Sequence, residues 1–290
     1  MRRFTKIITL MLLVVLLGTV LFSGCSNQTE EKDTVKLAYV NWAEGVAMTN
    51  LMKAVLEEKM GYEVEMTMAD PGVIFTSIAN GDYDAFLDAW LPVTHESYLE
   101  KYKDDLVDLG YNFEGARIGL VVPEYVEINS IEELNSVKDK FNGEIIGIDS
   151  GAGIMNATNK AIEEYGLDYD LLAGSGPVMT ASLKDAIDNN ENIIVTGWKP
   201  HWKFARYDLK FLDDPKKVYG EVENIHTMAR KGLEEDMPEV AELFRNFKLN
   251  DQQLGSLMGM IADSDEEPDV VAKKWMEENE ELVNSWLPQE

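Results

Sequence analysis

The chain reads as an α/β protein whose two α/β lobes are joined by two crossing strands that form a hinge. Three observations predict this. Short apolar or alternating runs separate segments of helical periodicity in both halves. Each half holds a strand that delivers Trp-x-Pro, and an apolar stretch flanks the second repeat on either side. At 290 residues the chain also exceeds what a single core comfortably fills.

Residues 36–41 form a short apolar strand. Over 45–60, Val46, Leu51, Met52, Val55 and Leu56 recur at helical spacing, and Gly61 closes the helix. Residues 62–68 alternate, with Tyr62, Val64, Met66 and Met68 on one face. A short helix over 71–80 stops at Gly81, and 84–89 is the next strand. This βαβαβ order implies a parallel sheet with helices on its faces. In the second half, Ser130 and Glu133 make a capping box that opens a helix to about 141. A strand over 144–149, a helix over 153–165 ended by Gly166, a strand over 169–173, a helix over 179–189 and a strand over 192–196 follow. Helices at 237–247, 251–262 and 268–286 are expected to pack back on the first lobe. Residues 118–122 and 225–229 are the two expected crossing strands. Lobe I is then 35–119 with 225–290, and lobe II is 120–224.

Ahead of this body, Arg2, Arg3 and Lys6 precede an apolar run over 7–22, then Ser23, Gly24 and Cys25. A basic start, an apolar middle and small residues before a cut site make a signal peptide over 1–24. Cys25 is the only cysteine, so no internal disulfide or multi-Cys metal site is possible. Phe22-Ser23-Gly24-Cys25 resembles a bacterial lipobox, which implies lipid attachment at Cys25, a polar tether over 25–34 and a body on the extracytoplasmic face of a membrane. With 26 Lys+Arg against 53 Asp+Glu, the net charge of −27 excludes counterion-release binding to nucleic acid. A catalytic centre is not expected, because nucleophile-elbow, HExxH and Cys-nucleophile patterns are missing from the sequence. His201 and His226 have no partner at metal spacing and read as structural. We expect a monomer with no metal and no cofactor.

Of six tryptophans, Trp275 and Trp286 fall in the C-terminal helical pattern as packing residues. Trp42, Trp90 and Trp198 instead come directly after strands, where open α/β sheets bind ligands. Indole faces attract cations, best of all those that cannot hydrogen-bond, so the three suit a cage for a quaternary ammonium group. At about 0.5–2 kcal/mol each, they supply part of the roughly 8 kcal/mol of a micromolar site, and a second anchor is required. The Gly-containing turn over 149–154 before a helix offers free N–H groups to an anion, with His95 as a further donor.

Trp90-Leu-Pro-x-Thr-His95, Ile148-Asp-Ser-Gly-Ala-Gly-Ile-Met155 and Thr196-Gly-Trp-Lys-Pro-His-Trp202 resemble the ligand-site segments of glycine betaine-binding proteins of ABC importers. Leu37-Ala-Tyr-Val-Asn-Trp42 and Leu212-Asp-Asp-Pro215 fit as well, so the resemblance covers about 35–290. It implies a two-lobed, periplasmic-binding-protein-like fold that closes on a compatible solute and delivers it to a membrane permease. In that reading Trp42, Trp90 and Trp198 enclose the trimethylammonium group, while His95 and the backbone N–H groups of Gly153 and Ile154 bind the carboxylate. The segment 69–75 is not a close match, and its role, with that of Asp70, stays open. Proline betaine is a possible second ligand. The rival readings are the same scaffold for choline, carnitine or a sulfonium solute, and, more distantly, a secreted lipoprotein hydrolase.

Overall fold

The structure is a computed structural model that describes residues 33–289. The expected signal peptide, Cys25 and the tether up to residue 32 lie outside the described residues. The first strand, β1 (Thr34–Tyr39), already takes in the last residue assigned to the tether.

β1, β2 (Glu63–Met68) and β3 (Ala85–Leu91) are parallel, in the order β2-β1-β3. Between them, α1 (Ala43–Val55) continues through a π-helical turn, Leu56–Met60, and ends at Gly61. That residue's φ of 77° lies in the left-handed region that glycine adopts without steric cost. α2 (Pro71–Ala79) returns the chain to β3, all of whose residues are buried. A short helix that the sequence did not suggest, α3 (Glu96–Tyr102), follows.

β4 (Leu106–Pro123) is the spine of the molecule. From Leu106 to Ala116 it pairs antiparallel with β9 (Glu223–Arg230), which in turn pairs with β3. From Arg117 onward its partners are β7 (Val195–Lys199) and the short β8 (Leu209–Phe211). The chain returns to β9 from the second half through residues 212–222. Only 118–122 of β4 was legible as strand. Its first part carries three register shifts and two glycines at positive φ, Gly110 and Gly115, which break the alternation that a sequence pattern relies on.

The second half repeats the first. β5 (Glu144–Ile146), β6 (Asp170–Leu172) and β7 are parallel, in the order β7-β5-β6, with α4 (Gly153–Tyr165) and α5 (Gly176–Asp188) between them. The Ser130–Glu133 capping box forms, but the segment it opens, Ile131–Phe141, is a 3₁₀ helix kinked at Val137. β7 lies three residues later than the sequence suggested, because its ladder with β4 runs from Val195 to Lys199. Both Trp-x-Pro repeats carry a cis peptide, Leu91–Pro92 and Lys199–Pro200. α6 (Lys203–Arg206) follows the second of these.

After β9 come α7 (Leu233–Asp236), α8 (Pro238–Asn246), α9 (Asp251–Asp263), α10 (Pro268–Glu278) and α11 (Glu280–Asn284). α9 and α10 pack on α1, as expected, with ion pairs Lys53–Asp269 and Lys59–Glu280 along the seam. The expected single helix over 268–286 breaks at Asn279, which lets Trp286 turn in and meet Phe247 edge-on. Trp275 and Trp286 are both core residues.

Asp84 ties three strands at one end of the first half. It accepts from the Lys36 backbone N–H and from Arg230 Nε, both at 2.7 Å. Asp84→Ala is expected to cost about 2–4 kcal/mol, because two donors lose a part-buried acceptor. Urea unfolding should show a lowered midpoint at unchanged slope.

Candidate functional site

Trp42 is the N-cap residue of α1, Trp90 lies within β3 and Trp198 lies within β7. The last two strands thus carry on beneath their indoles instead of ending before them. All three rings are at most 5% exposed and line one small cavity of about 20 Å³, with Glu44, Thr94, Ile118, Ile148 and Ile154. That is roughly the room of one water molecule. Residues from both halves of the sheet form its walls. A larger surface groove, about 810 Å³, runs between Tyr111, Arg245 and Trp286 and brings none of the predicted site residues together.

Each indole N–H is held by a carboxylate. Trp42 Nε1 donates to Asp149 Oδ2 at 3.2 Å, Trp90 Nε1 to Asp88 Oδ1 at 2.8 Å, and Trp198 Nε1 to Glu44 Oε2 at 2.8 Å. A buried indole needs such a partner. The sequence reading missed all three as indole partners, although Asp149 heads the turn it singled out. For Asp88 a signal existed, since two residues apart in a strand places it on the face of Trp90. The pairs Trp42–Asp149 and Trp198–Glu44 join residues more than a hundred positions apart, and no local pattern announces them.

His95 is fully buried at the start of α3. Its Nδ1 accepts the Trp90 backbone N–H at 2.9 Å, which puts the ring proton on Nε2. Nε2 is buried without a partner among the described residues and is therefore a free donor. Burial pushes the imidazole pKa down to about 3, so the ring is neutral at physiological pH. The ring lies parallel to Trp42 at 6.0 Å and edge-on to Phe75 at 5.4 Å. Phe75 in turn stacks on Tyr98 at 5.0 Å. The segment 69–75 thus supports His95 from behind, and none of its residues lines the cavity.

Gly153 and Ile154 open α4, whose N-cap, Ala152, offers no side-chain acceptor. The first N–H groups of a helix have no partner within it. Ile154 also lines the cavity. Gly153 lies flat against Thr94: a Cβ there would stand 2.6 Å from Thr94 Cγ2 and closer still to the Thr94 carbonyl. The Thr94 loop is held by buried Glu223, which accepts from the N–H groups of Val93 and Thr94, each at 2.8 Å, and from the Thr94 hydroxyl. Tyr98 Oη donates to the Gly151 carbonyl at 2.9 Å, a second tie between the halves beside the same turn.

Glu44 on the cavity wall belongs to a buried charged group that the sequence did not suggest. Burial pushes the Glu44 carboxyl up to about 7, opposed by the bond from Trp198 and by the charge of Lys203. Asp88 is raised well above the ordinary carboxylate range by burial and by Glu44. Lys203, fully buried in α6, falls to about 7 by burial, and its Nζ stands 4.1 Å from the centre of the Trp198 ring.

Residues 33–278 match the family described as the substrate binding domain of ABC-type glycine betaine transport systems. The chain belongs to this family. It is 46% identical over 151 residues to the glycine betaine/carnitine transport binding protein GbuC of Listeria monocytogenes, a stretch that is 51% of this chain and 50% of that protein. The match thus spans about half the length of that curated relative. Among solved structures, the chain is 42% identical to the glycine/betaine/L-proline-binding protein ProX of Borrelia burgdorferi. The TM-score is 0.86, over 89% of this chain and 97% of that one. To lactococcal OpuAC, in its closed conformation complexed with glycine betaine, it is 37% identical with a TM-score of 0.84, over 89% and 100%. This substrate-binding domain therefore has the two-lobed α/β fold expected from its sequence, and its family is one of transport proteins rather than enzymes.

The neutral imidazole has a consequence for stability. Between about pH 6.5 and 3 the unfolded chain binds a proton at residue 95 that the folded protein does not. Stability is therefore lost as pH falls through this window, by about 1.4 kcal/mol per pH unit for one such group. The difference in unfolding free energy between the wild type and His95→Gln, measured in urea, should shift in that sense below about pH 6.5 and stay constant above it.

Proposed function

We propose that this protein captures glycine betaine, and with it proline betaine, in the tryptophan-lined cavity and delivers it to the membrane subunit of an ABC importer. The observation that carries this reading is that three indoles from both halves of the chain meet at one cavity, beside a buried imidazole with a free N–H donor. Trp42, Trp90 and Trp198 enclose the trimethylammonium group, which has no N–H to satisfy and is favoured by π faces. His95 Nε2 and the N–H groups of Gly153 and Ile154 bind the carboxylate. The relatives named above support this choice of solute. Cys25 carries the lipid that holds the protein at the extracytoplasmic face.

Binding works by closure of two lobes, 35–119 with 225–290 against 120–224. The cavity as it stands has room for about one water, so the solute enters only when the walls part. Trp42, Trp90 and His95 come from one lobe, and Trp198, Gly153 and Ile154 from the other. Closure alone assembles both ends of the site, and the solute stabilises the closed state through contacts the open state lacks.

Titration of intrinsic fluorescence with glycine betaine and with choline tests the reading. We expect saturation with glycine betaine at micromolar to low-millimolar levels and a weak response to choline, which has no carboxylate. A response to choline alone would overturn the role given to His95, Gly153 and Ile154. Trp90→Ala is expected to raise the glycine betaine Kd at least ~10-fold, or about 1.4 kcal/mol, and unchanged affinity would sink the cage. Gly153→Ala puts a better helix former at the first helical position but blocks the approach to Thr94. Its Kd should rise by ~10-fold or more while its urea midpoint stays near that of the wild type.

A further inference from the structure

Lys203 is fully buried, and among the described residues its Nζ has no hydrogen-bond acceptor. What it does have is the Trp198 ring, 4.1 Å away, and the nearby carboxylate of Glu44. Glu44 and Trp198 both line the cavity and Lys203 does not, so the ammonium occupies a side of the indole turned away from the ligand space while the carboxyl reaches the cavity wall. Glu44 grips the edge of the same indole through Nε1 at 2.8 Å, and its second oxygen, Oε1, is buried with no hydrogen-bond partner among the described residues. The ring is therefore held at its edge by an acid and covered on one side by a base. A cation behind an indole opposes a cation in front of it, both directly and by drawing on the same π electrons.

We propose that Glu44 and Lys203 are a buried pair whose net charge sets how strongly the cavity attracts a cation, Lys203 acting through Trp198, and Glu44 both by fixing that indole and from the cavity wall. This rests on the assignment of Trp198 to the cage. The other titratable groups facing the pair are Asp88, beside Glu44, and His201, beside Lys203. His201 is kept neutral by burial and by the Lys203 charge. Both members of the pair titrate near neutrality, at about 7. A ligand with a permanent positive charge favours the deprotonated pair, so binding releases protons and affinity rises with pH.

The test is the Kd for glycine betaine from about pH 6 to about pH 8.5, for the wild type, Glu44→Gln, Lys203→Met and the double variant. Wild-type affinity should tighten about threefold or more across this range, since one linked proton allows up to tenfold per pH unit. Glu44→Gln keeps an acceptor for Trp198 but removes the charge that favours protonated Lys203, so the transition should move to lower pH. Lys203→Met removes the charge that favours ionised Glu44, so the transition should move to higher pH. The double variant should be flat. A pH-independent wild type, or a slope that survives in the double variant, would overturn the proposal, the latter pointing to Asp88.

A second readout needs no ligand. The indole N–H resonance of Trp198, assigned with Trp198→Phe, should titrate near neutrality in the wild type and lose that titration in the double variant. Should the wild type fail to bind glycine betaine while this resonance behaves as stated, the solute assignment falls and the pair stands. Should binding hold while the resonance is indifferent to pH, the pair falls and the cage stands. If the double variant does not fold, the opposite shifts of the two single variants decide.

Discussion

Everything in the site depends on burying three indole rings around one small space without leaving a single N–H unpaired. A cage built from π faces must turn those faces inward, so the polar edges have to be satisfied elsewhere. Asp149, Asp88 and Glu44 do this, one for each ring. Two of these acids are themselves buried, which is costly unless they are bonded, and the indole bonds are part of what makes them tolerable. Acids and rings thus justify each other's burial. Removing either partner leaves the other stranded, which is why the arrangement is so sharply specified.

The same economy appears at the other end of the cavity. The Trp90 backbone N–H is spent on His95 Nδ1, which leaves Nε2–H as a donor with a fixed direction. The strand residue that presents one ring of the cage thereby also sets the tautomer of the imidazole. Phe75 and Tyr98 stack behind that imidazole, and Tyr98 reaches across to Gly151. The indole-lined cavity and the turn at Gly153 are consequently not independent features. They share a strand, a loop held by Glu223 and a close contact between Gly153 and Thr94 that only a glycine permits.

β4 provides the frame for this. It leaves one set of partners at Ala116 and takes up another at Arg117, so the two halves of the sheet meet along a single continuous strand. Ile118, just past the switch, is part of the cavity wall. The rings of Trp42 and Trp198, carried by opposite halves, stand 6.3 Å apart. The halves are joined by this strand and by the returning segment 212–222. That is the geometry expected of hinge-closing proteins.

The sequence by itself determined the local features. Periodicity, Gly61 and Gly166 as helix ends, the Ser130 capping box and the repeated Trp-x-Pro are all set by neighbours within a few residues, and most of the elements appear close to where they were expected. It also marked Trp42, Trp90 and Trp198 as unusual by their position relative to strands, and those three do converge. What escaped it was long β4, whose bulges and glycines disrupt the two-residue period, and everything that depends on which distant residues meet. Glu44 reads as an ordinary acid in the first turn of a helix, and Lys203 as an ordinary base. Lys203 meets Trp198 from five positions away, but Glu44 joins them only because the chain brings together residues more than 150 positions apart. Such pairings are decided by the packing of the two halves, because burial and Coulomb interaction depend on distance in space and not on separation along the chain.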